Sequence, residues 1–505
     1  MRKLAVLTAM LAVAAGTLVA AQSPAFAADS PAVAATASGV KWGPCRTYTD
    51  DELRPALHGH DLAAVKRDIS RRQCGTVTVP LDYRYPQGRQ IQVAVTRFPA
   101  LEPTKRLGAL LLNPGGPGEA GVLEPDDVSL SRAGDLAKRF DLIGFDPRGV
   151  GDSVPRLDCD PDSFQVLATT DREVARQASA KLAASNLACA QRDSGLTASL
   201  TTSNIARDMD RIRAGLGEKK ISYFGFSWGT ALGATYQTLF PQRVNRMVLD
   251  SPVDPVLQLD RWDDDSTAAR DVESHRFIAW LASSGAGLGT TPAEVSATLD
   301  RVEAFFTAHP QDVPELQEFG DEFIVAFHST NDSRAWQSDA KALVTLNKIA
   351  SAGISASSVS SAPPRLRLAP QFFNDGVLVS VNCNGDSGTR DFDNWFTRWD
   401  ARRVRFPRTG LVPFEVPACA GWPHPVRPER VADTNTSVLL VGHQFEVVTP
   451  IKWARSMHEA IGGATLTVDD DVHASLIDLP CASKAVSFLV SGKQPHGHCP
   501  GVPLP

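Results

Sequence analysis

Several common chemistries have no motif to rest on in this 505-residue sequence. It has no C-x-x-C, and its one His-Glu pair, His458-Glu459, is not followed by a second histidine at zincin spacing, so dithiol redox and zincin readings are excluded. The glycines of Gly285-Ala286-Gly287-Leu288-Gly289 are wrongly spaced for a dinucleotide loop and follow a helical stretch. Positive charge is not in excess: 51 Lys and Arg face 57 Asp and Glu, a formal net charge of −6, which argues against a nucleic-acid partner. After the first 21 residues no apolar run reaches 18, so no later membrane span is expected.

What the chain does have begins at its N-terminus. Arg2 and Lys3, the apolar run Leu4 to Ala21 and then Ala25-Phe26-Ala27 have the three regions of a secretory signal peptide, residues 1–27. Its removal takes two positive charges from the 51, leaving 49 against 57 and a net charge of −8. Residues 28–40 are rich in Ala, Ser and Pro and read as a disordered leader. The expected product is secreted, soluble and monomeric, with no membrane attachment. Eight cysteines in an exported chain read as disulfides, and pairing of sequence neighbours is expected: Cys45 with Cys74, Cys159 with Cys189, Cys383 with Cys419, Cys481 with Cys499.

The densest chemical signal is Gly225-Phe226-Ser227-Trp228-Gly229, where the apolar stretch Ile221 to Phe226 gives way to a helix-like one. G-x-S-x-G at a strand-to-helix turn is a nucleophile elbow, which lifts the Ser227 hydroxyl above the sheet edge. Upstream, Ala109 to Leu112 runs into Asn113-Pro114-Gly115-Gly116-Pro117-Gly118, a strand ending in a loop whose backbone N–H groups can hold an oxyanion. Between them lies another strand that stops at a turn, Phe140 to Gly149. These strands describe the middle of a parallel sheet, and Thr76–Val79 with Ile91–Val95 alternate as an antiparallel pair ahead of it.

After the strand Arg246–Asp250 the rhythm changes. From 251 to 433 helical spacing dominates, as at Val295, Leu299, Val302 and Phe305-Phe306, with a Ser/Ala/Pro tract over 351–364 read as a loop. Strand patterns return at Ser437–Val441 and Ala464–Val468. The expected organisation is an α/β-hydrolase core, mostly parallel, split into 41–250 and 434–505 by a helical cap insertion, 251–433. In such a core the triad order is Ser, acid, His. His473 follows the last strand, in Asp469-Asp470-Asp471-Val472-His473, and is the expected base. The acid is Glu446, the carboxylate of the loop after Ser437–Val441, or alternatively Asp250 at the end of the earlier strand. His496 and His498 read as an exposed loop, and no metal or other cofactor is expected.

Asn113–Gly118, Asp146-Pro147-Arg148-Gly149-Val150-Gly151-Asp152-Ser153, the elbow, Val447-Val448-Thr449-Pro450 and His473 together resemble the secreted bacterial tripeptidyl aminopeptidases, grouped with the prolyl aminopeptidases. The resemblance spans essentially the whole mature chain. It implies hydrolysis of peptides from a free N-terminus, with Ser227 as nucleophile, His473 as base, Glu446 as acid, and the backbone N–H groups of Gly116 and Trp228 as oxyanion hole. The chain departs from the family pattern in having Glu446-Val447 where Asp-Pro is usual, and Glu119-Ala120 where small residues follow the glycine loop. Glu119 is a candidate for binding a substrate ammonium. Two readings remain beside an aminopeptidase: a carboxylesterase or other acyl hydrolase of the same fold, and a non-catalytic secreted binding protein.

Overall fold

The computed structural model describes residues 39–54, 59–159, 171–308, 332–352, 372–410 and 418–505. The signal peptide, all but the last two residues of the leader, and 353–364 of the Ser/Ala/Pro tract lie outside the described residues; Ser351 and Ala352 end a helix.

Ten strands form one sheet: β1 (Lys41–Gly43), β2 (Gln73–Pro80), β3 (Gln90–Phe98), β4 (Ala109–Asn113), β5 (Asp141–Phe145), β6 (Ile221–Phe226), β7 (Val244–Asp250), β8 (Val438–His443), β9 (Ala464–Asp469) and β10 (His498–Pro500). Their spatial order is β1-β2-β3-β5-β4-β6-β7-β8-β9-β10. The pairs β1/β2, β2/β3 and β3/β5 are antiparallel, and from β5 to β10 every pair is parallel. The central strands are buried throughout because both sheet faces are covered, and alternate residues enter two separate cores. Leu111, Ile143, Tyr223, Met247, Leu249 and Leu440 pack on one face; Leu110, Leu112, Leu142, Phe224, Phe226, Val248, Leu439 and Val441 pack on the other.

Chain order places β5 on one side of β4 and β6 on the other. The carboxyl ends of β4 and β6 therefore flank a topological switch point, where an open parallel sheet presents a crevice. The glycine loop leaves β4 there and the elbow leaves β6 there.

Between β7 and β8 the described residues contain helices Leu259–Ser284, Pro292–Ala308, Trp336–Ala352, Asp375–Gly385 and Phe392–Arg405. The first three share a core of their own around Phe277, Leu281, Val295, Val302 and Trp336. Asp375–Gly385 instead buries Val377 and Val381 in the main core beside Leu200 and Val150, so part of the insertion is built into the sheet domain. All eight cysteines pair, each with its sequence neighbour as expected. Closing loops of 18 to 36 residues, each bond is worth about 3 to 4 kcal/mol in the chain-entropy account. His498 corrects the loop reading: it opens β10, and its Nδ1 is 2.8 Å from the Asp469 carboxylate at the exposed sheet edge.

Candidate active site

Ser227 joins β6 to the helix Trp228–Leu239 at φ +54° and ψ −127°, a backbone region that costs a non-glycine residue energy and persists only where the surroundings fix it. They do so through several bonds. The Ser227 N–H donates to the Asp250 carbonyl (3.0 Å), and its carbonyl accepts from Thr230 N–H (2.9 Å) and Thr230 Oγ1 (2.6 Å). The flanking glycines are demanded by contact: a Cβ on Gly229 would lie 2.7 Å from Asn113 Oδ1, and one on Gly225 2.6 Å from the Gly229 carbonyl. Trp228 is the first helical residue, so its N–H has no intrahelical acceptor.

The glycine loop crosses directly over this turn. A Cβ on Gly115 would stand 2.8 Å from the Phe226 carbonyl and 2.9 Å from Ser227 Cβ, so only glycine lets the loop approach the serine this closely. Gly116 follows at φ +97°. The next residues are fastened from the insertion: Asn374 N–H donates to the Gly118 carbonyl (2.9 Å), Ala120 N–H to the Phe372 carbonyl (2.9 Å), and Glu119 forms a β-bridge with Phe373. Glu119 is thus at the rim of the loop, half-buried.

On the other side, His473 Nδ1–H donates to Glu446 Oε1, so these two residues are in contact and Asp250 is elsewhere. Glu446 is buried and its carboxylate is fully engaged: Oε1 also accepts from Thr449 N–H (3.1 Å) and Thr449 Oγ1 (2.7 Å), and Oε2 accepts from Ser251 Oγ (2.9 Å). Ser251 in turn accepts from Ala474 N–H (2.9 Å), tying Glu446 to the histidine loop. Burial works to raise the Glu446 carboxyl, but the neighbouring His473, His443 and Thr449 outweigh it and hold it below the ordinary glutamate range. The His473 side chain keeps 31% of its surface exposed. None of the described hydrogen bonds joins its ring to Ser227, a contact that often tightens only with substrate bound.

Asp250 belongs to a second, wholly buried cluster that sequence reasoning missed. His443 donates from Nε2 to Asp250 Oδ1 (2.9 Å) and from Nδ1 to Asp470 Oδ1 (2.6 Å). With a carboxylate at each ring nitrogen both must carry hydrogen, so His443 is an imidazolium. Burial opposes that charge, and Asp250, Asp470 and Glu446 overcome it, raising His443 well above the usual histidine value. Asp470 also accepts from Ser475 Oγ (2.8 Å) and Val502 N–H (3.0 Å). The cluster thus ties together the elbow, through the Asp250 carbonyl, and the segment after His473. The signal that could have revealed it is positional: Asp250, His443 and Asp470 all stand at or just past the carboxyl ends of adjacent parallel strands.

Comparison with known proteins agrees with this architecture. The α/β hydrolase fold family matches residues 108–338, and the TAP-like protein family matches 411–499. A tripeptidyl aminopeptidase of Streptomyces lividans is 33% identical over 487 residues, covering 87% of this chain and 85% of its own. The serine protease Hip1 of Mycobacterium tuberculosis is 28% identical over 488 residues, 90% of this chain and 89% of its own. A carboxylesterase B of the same species is 32% identical over 224 residues, 43% of this chain and 40% of its own.

Proposed function

From its membership in the tripeptidyl aminopeptidase family of α/β-hydrolases, to which this chain belongs, we propose that it is a secreted enzyme that removes tripeptides from the free N-terminus of peptides. Its relatives support the broader class, a serine exopeptidase of the α/β-hydrolase fold acting on peptides. The observation that carries the reading is the Glu446–His473 pair, tied through Ser251 to the same strand end whose Asp250 carbonyl holds an elbow serine beneath a glycine loop.

In this reading Ser227 attacks the carbonyl of the third residue while His473 takes its proton; Glu446 fixes the tautomer that leaves Nε2 free to accept, and stabilises the imidazolium that forms. The oxyanion is held by the N–H groups of Gly116 and Trp228. His473 then delivers the proton to the leaving amine, and water clears the acyl-enzyme in a second round. This cycle uses three side chains, two backbone N–H groups and water. Glu119, at the rim of the glycine loop, binds the substrate ammonium. Secretion fits four disulfides in a chain that opens with a signal-like segment.

The first test is the initial rate on a tripeptide reporter with a free amine against the same reporter N-acetylated, with Ser227→Ala as blank. Loss of a charged hydrogen bond predicts a kcat/KM about 10- to 100-fold lower for the acetylated substrate. Equal rates would favour the second reading, an acyl hydrolase indifferent to the amine, for which the partial match to a carboxylesterase is the specific support.

A further inference from the structure

One helix of the insertion touches both loops that carry the acid–base pair. From the helix Leu259–Ser284, Arg276 lays its guanidinium 3.7 Å from the centroid of the Phe445 ring, the residue before Glu446. The same guanidinium binds Glu273 Oε2 at 2.5 Å and stands 3.7 Å from Asp471 Oδ2, two residues before His473. Asp471 is fixed on its other oxygen by Ser333 Oγ (2.7 Å), at the start of the turn leading into Trp336–Ala352.

Within this contact two carboxyl groups meet in the dry interior. Glu273 and Asp471 are 0% and 1% exposed, and the oxygens left without a hydrogen-bond donor are Glu273 Oε1 and Asp471 Oδ2. One cation cannot neutralise two carboxylates, and two buried like charges at close range do not both ionise. A single proton between the two unpartnered oxygens satisfies both and leaves one negative charge for Arg276. The charged groups facing Glu273 are Asp471 and Arg276. Burial first, then the hydrogen bond and charge of Asp471, raise Glu273 to about 9, with Arg276 opposing.

We propose that Glu273 is a positioning residue for the His473–Glu446 pair: as a protonated carboxyl it donates to Asp471 and latches the insertion helix onto the histidine loop, while Arg276 latches the glutamate loop through Phe445. The inference rests on His473 and Glu446 being the acid–base pair. Its sign follows from linkage. The latched Glu273 keeps its proton to about pH 9, whereas a released glutamate gives it up near pH 4.3. Latching therefore weakens about tenfold for each pH unit between those limits and no further above them.

Glu273→Gln keeps the donor and cannot lose it. The measurement is kcat of Glu273→Gln and of the unaltered enzyme across pH 6 to 10, with tryptophan fluorescence recorded on both in the Ser227→Ala background; Trp336 lies 5.8 Å from the Arg276 guanidinium and reports the contact. Substrate amine titration is common to both proteins and cancels in their ratio. The expected kcat ratio is near one at pH 7 and rises about tenfold or more by pH 9 to 10, with a fluorescence change over that interval in the Glu273 protein alone. A ratio that stays flat, or a fluorescence change shared by both, overturns the proposal. If Glu273→Gln misfolds by near-UV circular dichroism at pH 7, Asp471→Asn serves in the fluorescence arm: loss of the alkaline change supports the latch and its retention overturns it. The fluorescence arm needs no substrate, so the latch can stand or fall separately from the proposed peptidase reading.

Discussion

Ser227→Ala is expected to lower turnover about 10⁶-fold on peptide reporters, the scale reached when a serine nucleophile is removed from an intact triad. Thermal unfolding should stay where it is. The elbow is held by the Ser227 backbone, through Asp250 and Thr230, and alanine keeps those bonds while losing only Oγ. The φ of +54° strains serine and alanine alike, so the substitution adds no new backbone cost. Measuring kcat and the unfolding midpoint on the same preparation separates lost chemistry from lost structure. Ser251 is the natural control, since it too sits at φ +54° beside the site. Its Oγ is already committed to Glu446 and to Ala474 N–H, and the residue is fully buried, which disqualifies it as a nucleophile. Retention of even a hundredth of the turnover by Ser227→Ala would move the nucleophile elsewhere.

The parts of this design that were legible in the sequence are those written in contiguous residues. Buried parallel strands announce themselves as short, mostly apolar runs, Ala109–Leu112 stopped by Asn113-Pro114 and Ile221–Phe226 stopped by Ser227, and the residues that follow them sit at the crevice by topology alone. That is why Ser227, the glycine loop and His473 could be proposed in order, with Glu446 and Asp250 left as alternative acids. The three-residue edge strands β1 and β10 could not, because Lys41-Trp42-Gly43 and His498-Cys499-Pro500 carry no periodicity; register with β2 and β9 makes them strands. The Asp250–His443–Asp470 cluster and the Glu273–Asp471 pair were invisible for a related reason. Each depends on side chains from different elements meeting at a particular register or helix face, which no local pattern encodes. The unusual glutamate also finds its explanation only in three dimensions: Thr449 and Ser251 grip its carboxylate and deliver one oxygen to His473.

The two candidate acids should separate sharply on substitution. Glu446→Ala is expected to lose about four orders of magnitude in kcat, because His473 loses both the acceptor that sets its tautomer and the charge that stabilises its imidazolium. Asp250→Ala should act on folding instead: it strips the Nε2 partner from a fully buried imidazolium, a change that costs about 3 to 5 kcal/mol. Protein that remains folded should keep turnover within about tenfold of the unaltered enzyme. The pH dependence of stability follows the same division. Glu446 and Asp470, both held below their ordinary ranges, contribute stability that is present above about pH 4 and lost as pH falls through their folded values. His443, held well above its ordinary range, contributes stability that is full below about pH 6.5 and lost only as pH rises through its folded value. The cluster is therefore intact through neutral pH, and removal of Asp250 there leaves the His443 charge without half of its support. Kinetics on Glu446→Ala and Asp250→Ala, each normalised to its folded fraction, decide the assignment. Four orders lost on Asp250→Ala with turnover kept on Glu446→Ala would make Asp250 the acid, acting on His473 by a route that the His443 ring now occupies.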